Sequence, residues 1–153
     1  MSDFKKIDRV GSTKNIIKDV FGVELDISGG WGYNASTSIS INSLSMPLEQ
    51  FLNLFTTIRA NIEMNLSLEK DKRYAGIKVT IKNRSKIEVD DITYDVIETQ
   101  IKAMKEDIYS KFIKEYKEKY GEEGFDLNEY FNRREENTTT RVVEFWFNTL
   151  EYN

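Results

Sequence analysis

Apolar positions along the chain change period several times, and each change predicts a boundary. Ser12 suits an N-cap and Gly22 a C-terminal stop, with Ile16, Ile17, Val20 and Phe21 between them, which predicts a short helix through Phe21. Val23, Leu25 and Ile27 then alternate with Glu24, Asp26 and Ser28. Gly29-Gly30-Trp31-Gly32 reads as a turn, and Ala35 to Leu44 alternates again through Ile39 and Ile41, the pattern of a β-hairpin. Pro47 suits the first turn of a helix carrying Leu48, Phe51, Leu52, Phe55, Ile58 and Ile62 at spacings of three and four. Glu49, Asn53, Thr56 and Arg59 fall on its expected surface.

Ile62, Met64, Leu66 and Leu68 recur every second residue, which predicts a strand from about Met64. Ile77, Val79 and Ile81 predict a second, and Ile87 with Val89 a shorter third, with turns near Lys72-Arg73 and Asn83-Arg84. Asp90 or Asp91 would cap the longest helix, to about Tyr120, with Ile97, Ile101, Met104, Ile108, Phe112 and Tyr116 as its buried stripe. Glu98 to Lys102, Asp107 to Lys111 and Glu115 to Lys119 would each add roughly 0.2 to 0.5 kcal/mol as i,i+4 pairs. Gly121 ends that helix. Asp126 and Glu129 open another to about Glu136 with a capping-box spacing, and Phe125 and Tyr130 occupy the positions of a hydrophobic staple.

Thr138 to Leu150 is rich in β-branched and aromatic residues, with Val143, Phe145 and Phe147 on one face and Val142, Trp146 and Leu150 on the other. Such a strand is central and covered on both sides, or keeps one face for a partner. The order αββαβββααβ predicts an α+β fold, a mainly antiparallel sheet packed with helices, as a single domain over residues 1–153.

Composition narrows the chemistry. The chain has 39% hydrophobic and 12% aromatic residues, too apolar for a solvating tail, and it has no Cys and no His. That removes disulfides, thiol nucleophiles, the commonest general base and the commonest metal ligand. The polar N-terminus has no apolar signal region, and no run approaches the roughly 18 apolar residues that span a bilayer, so a cytoplasmic location is expected. The four Asn-x-Ser/Thr sequences then carry no chemistry. Abundant Ile, Lys and Asn suggest an AT-rich bacterial or phage gene by association alone.

A net charge of −4 argues against general nucleic-acid affinity, but the charges are segregated. Lys70 to Lys86 holds Lys70, Lys72, Arg73, Lys78, Lys82, Arg84 and Lys86 against Asp71 alone. Glu115 to Glu136 holds eight acids against four bases. The basic 70–86 ribbon could grip phosphates through Lys72, Arg73, Lys78, Lys82 and Arg84, although Tyr74 is its one aromatic, and lysines equally protect a sheet edge. Glu24-x-Asp26 and Glu88-x-Asp90 each align two carboxylates on a predicted strand face, the donor set of a Mg²⁺-dependent or Mn²⁺-dependent phosphodiesterase or nuclease. Asp90 is more economically a helix cap.

Asp126-Leu127-Asn128-Glu129 is no EF-hand, because Phe131 and Asn137 stand where the loop needs Gly and Glu. The Gly29 to Gly32 turn lacks the spacing of a phosphate cradle. No cofactor is expected, and no catalytic motif points to an enzyme. The leading expectation is a non-enzymatic interaction module, an immunity or inhibitor protein that binds a basic protein partner such as a toxin or a nucleic-acid-processing protein. Its contacts would be Trp31, Tyr33 and Asn34 on the Gly-rich loop together with Glu122, Glu123, Asp126 and Glu129.

Overall fold

The computed structural model describes Ile7 and residues 12–66, 68–69 and 72–148. The expected positions Lys70, Asp71 and Leu150 lie outside the described residues. Helix α1 spans Thr13–Phe21, strand β1 Ile27–Gly29 and strand β2 Ile39–Ile41. Helix α2 follows over Leu48–Asn61, then the long strands β3 (Tyr74–Val89) and β4 (Ile92–Lys105). Helices α3 (Glu106–Lys119) and α4 (Leu127–Glu136) lead to strand β5 (Thr139–Asn148). This is the expected α+β fold with a mainly antiparallel sheet.

The local stop signals act as the residues suggest. Ser12 Oγ accepts from the Asn15 N–H, and Gly22 closes α1 at φ +69. The sheet order is β1-β2-β5-β4-β3, antiparallel throughout except for the parallel contact of β2 with β5 at Ile39 and Phe147. Phe145 and Phe147 lie on one face of β5 with Ile39 and Ile97 of the neighbouring strands, and α1 and α2 cover that face through Ile17, Phe51, Leu52 and Phe55. Phe55 is fully buried. Its ring meets those of Phe51, Phe145 and Phe147 at 5.9 to 6.4 Å.

Three expectations are corrected. The strand expected from Met64 is instead a π-helical extension of α2 over Ile62–Leu66, whose wider turn buries Ile62, Glu63 and Met64 together. The turn expected at Asn83-Arg84 is absent: β3 runs unbroken through it, with a bulge between Ile81 and Asn83.

The third correction is the largest. Asp90 and Asp91 cap no helix but form a two-residue hairpin turn, both left-handed at φ 51 and 66, and residues 92–105 are strand. Ile97, Ile101 and Met104 are buried as expected, but from a strand, Ile97 and Ile101 on the face toward α2 and Met104 on the other against Phe112 and Tyr130, so the helix-like spacing is a coincidence. Only Glu106–Lys119 is helical. Glu98 and Lys102 therefore form no helical pair.

Candidate functional site

The loop between β1 and β2 is built inward. Asn34 caps a 3₁₀ turn over Ala35–Thr37 through a capping box with Thr37, and the Trp146 N–H donates to the Gly32 carbonyl at 2.8 Å. Gly32 sits at φ +82 with the Trp146 backbone alongside, and a side chain on Gly29 would collide with the Ser38 carbonyl. These glycines serve close packing. Trp31 is 6% exposed and packs on Phe55, so its ring offers no surface anchor, contrary to the expectation for this loop.

Tyr33 is likewise committed inward. Its hydroxyl donates to Glu63 Oε2 and accepts from the Ile7 N–H at 2.9 Å. Glu63 also receives Arg59 Nε at 3.2 Å and Arg141 Nη1 at 2.9 Å, and Arg59 Nη1 donates to the Trp31 carbonyl at 3.1 Å. The Arg59 guanidinium is sandwiched between Tyr33 and Phe145, 4.0 and 3.8 Å from the ring centroids. Thr56 and Arg59, expected on the surface, are buried. Burial lowers the Arg59 pKa against the opposing pull of Glu63, while burial and then Glu63's charge raise that of Tyr33. This cluster ties α2 to the loop and to β5.

The acidic segment forms the tip of a helical hairpin. Tyr130 is fully buried between the helices, donates its hydroxyl to the Phe112 carbonyl at 2.7 Å and meets Phe112, Tyr116 and Phe125 ring to ring. The expected staple thus forms. Asp126 caps α4 by accepting from the Asn128 and Glu129 N–H groups at 3.0 and 3.2 Å. Arg133 grips Glu115 with two nitrogens and Glu129 with a third. The hydrogen bond from Arg133 holds the Glu115 carboxyl below its usual range. Of the four acids singled out, Asp126 and Glu129 therefore brace the hairpin, while Glu122 and Glu123 stand exposed in the loop.

Sequence reasoning missed the apolar part of this tip. Tyr120, Leu127 and Phe131 are 61%, 38% and 50% exposed; none of them lines the shallow cavity of about 350 Å³ that Glu115, Glu122, Glu123, Asp126 and Glu129 form together with Lys119 and Arg133. The spacing Leu127, Tyr130, Phe131 gave no signal for this, because i, i+3 and i+4 share one helix face and read as a buried stripe; of the three only Tyr130 is sealed.

The basic residues lie along edge strand β3, with Lys78, Lys82, Arg84 and Lys86 all exposed. Arg84 and Lys86 both reach the buried Asp95 carboxylate at 3.5 Å, and Arg73 Nε donates to the Leu68 carbonyl at 3.2 Å. Lys72 is exposed just before the strand. Much of the ribbon's charge is thus held by the fold.

The carboxylate pairs are dispersed. Glu24 and Asp26 precede β1 rather than lying on it; Glu24 pairs with Lys18 at 2.9 Å, and Asp26 accepts from Ser43 and Asn42. Glu88 is exposed on β3, and Asp90 stands in the hairpin turn. Among the described residues no three Asp or Glu converge in a metal-holding group, and no helix is long and apolar enough to cross a membrane. Comparison with family models, curated proteins and solved structures found no match.

Proposed function

We propose that the protein is a non-enzymatic interaction module that docks a basic protein partner on the tip of the α3–α4 hairpin. The observation that carries this reading is the exposure of Tyr120, Leu127 and Phe131 on a braced hairpin whose loop presents Glu122 and Glu123. Exposed aromatic and aliphatic side chains supply the desolvating centre of an interface. The surrounding carboxylates attract a cationic partner and speed the encounter. An inhibitor or immunity protein acting on a basic, nucleic-acid-processing protein is the finer form of the same reading, because such partners present the complementary charge.

The test is affinity capture from host lysate after nuclease digestion, comparing the native protein with Phe131→Ala and with Glu122→Lys combined with Glu123→Lys. The reading requires a stoichiometric basic protein held by the native chain and released by both variants. Capture that both variants leave unchanged overturns it. Retention of nucleic acid in undigested lysate, with proteins lost on digestion, would transfer the function to Lys78, Lys82 and the rest of the basic strand.

A further inference from the structure

The α3–α4 hairpin packs on the sheet face opposite α1 and α2, with Tyr109 on the bare backbone of Gly76 and with Phe112 and Tyr130 against Met104. A side chain at Gly76 would meet the Tyr109 ring at 2.8 Å. Beside this contact, at the end of α4 away from Glu122 and Glu123, the hairpin and the sheet leave a notch of about 250 Å³. Three cations from three elements line it: Lys78 of β3, Lys102 of β4 and Arg134 of α4. Glu135 is the one carboxylate among its described lining residues.

These charges are poorly matched within the chain. Cross-strand register sets Lys78 directly opposite Lys102, where like charges destabilise a sheet. Lys102 reaches Glu135 at 3.3 Å, but that carboxylate is 69% exposed, so the pair is weak and easily opened. Among the described residues neither Lys78 nor Arg134 has an ion-pair partner. Protection of a sheet edge accounts for lysines on β3, but Lys102 stands on an interior strand and Arg134 on a helix. Arg134 is also held in place. Its guanidinium lies 5.8 and 5.9 Å from the centroids of the Tyr109 and Tyr130 rings, and the Thr138 hydroxyl donates to its carbonyl at 2.7 Å.

We propose that this notch binds the phosphate group of a small phosphate monoester. The dianion offsets the two cations left unpaired, and its three terminal oxygens give each cation an acceptor, with Glu135 releasing Lys102 as the ligand enters. Arg134 presents a planar fork, Lys78 and Lys102 point charges. The volume is below the roughly 300 to 1,000 Å³ of sites that enclose drug-sized ligands, so the notch receives the phosphate head and leaves the rest of the molecule outside. A nucleic-acid backbone suits it less, because a diester carries a single charge per phosphate. In addition, Glu98 and Glu144 lie exposed and side by side two rows further along the same sheet face, where they repel a polyanion laid across it. This site is separate from the hairpin tip and independent of what docks there.

Amide chemical shifts of the isotope-labelled full chain test the proposal at fixed ionic strength, with methyl phosphate as the probe and dimethyl phosphate as its singly charged diester counterpart. Methyl phosphate is expected to move Gly76, Lys78, Lys102 and Thr138 in a saturable way, and dimethyl phosphate to move them far less. Arg134→Gln should weaken binding about tenfold and Lys78→Gln, whose ammonium is exposed, about threefold. Glu135→Gln should tighten it several-fold, a gain that a misfolded variant cannot give. Lys111→Gln, which removes an exposed charge on α3 outside the notch, should change nothing. The absence of a saturable shift at the highest probe concentration overturns the proposal. So does an equal response to the diester, or a Glu135→Gln variant that binds no better. An oligonucleotide that binds along Lys82 to Lys86 while methyl phosphate leaves the notch unmoved overturns it as well.

Discussion

Arg59 and Glu63, one helical turn apart on α2 and its π-helical extension, are both sealed from solvent, and Glu63 also receives Arg141 from the sheet. Their mutual attraction offsets the desolvation of each, so removing one leaves the rest uncompensated. Glu63→Ala is expected to lower stability by about 3 to 5 kcal/mol. Replacing Arg59 and Glu63 together with apolar residues of similar volume should cost less than the single change. Urea unfolding of both variants checks the order, and the reverse order would contradict this account of the cluster.

Tyr33 makes the same cluster sensitive to alkali. Burial, followed by the charge on Glu63, raises its pKa above the ordinary tyrosine value of about 10. The unfolded chain therefore releases this proton first as pH rises. The stability contribution is complete below about pH 10 and declines above it. Tyr33→Phe should be less stable at neutral pH, having lost bonds to Glu63 and Ile7, yet flatter in stability above pH 10. Parallel alkaline melts of the two proteins supply the comparison.

Trp31 is a packing residue rather than a contact for a partner. Trp31→Ala is expected to lower stability by about 3 to 5 kcal/mol through the cavity it leaves beside Phe55. Folded variant at low temperature should keep the binding of native protein at the α3–α4 tip. Lost binding with unchanged stability would restore the ring to an interface.

The hairpin turn at Asp90-Asp91 holds two non-glycine residues in the left-handed region. Asp91→Gly removes that strain and one of two adjacent carboxylates, and is expected to stabilise by about 0.5 kcal/mol after glycine's extra chain entropy is set against it. A small rise in melting temperature is the expected result. A fall would mean that the Asp91 side chain supports the turn.

Elements with local stop and start chemistry were legible in the sequence: Ser12 and Gly22 around α1, Pro47 before α2, Asp126 before α4. Residues 92–105 were not: Ile97, Thr99, Ile101 and Ala103 alternate with Glu98, Gln100 and Lys102, but burial of Tyr94, Val96 and Met104 on the other face breaks the alternation at both ends, and Ile97, Ile101 and Met104 then mimic a helical stripe. Its density of Ile, Val and Thr was the signal outweighed. Asp90 and Asp91 compounded the error, since the same short acid side chain favours both an N-cap and a left-handed turn. The buried ion cluster was hidden for another reason: nothing local marks Arg59 as turned inward until Glu63, Arg141 and Tyr33 are brought around it from three elements. At the candidate site the acids were visible as composition, but the exposed Leu127 and Phe131 emerge only once Tyr130 is seen to face α3.

The place of β5 between β2 and β4 has a consequence for biosynthesis. Before Thr139 to Asn148 have left the ribosome, the β1–β2 ribbon and the β3–β4 hairpin share no strand pairing, and the flanks that will receive β5 stay open. Ile39 and Ile97 wait on those flanks for Phe147 and Phe145. Among the described strands the one that joins the two halves follows both in the chain, so the nascent chain carries unsatisfied sheet edges from the completion of β2 until β5 is made.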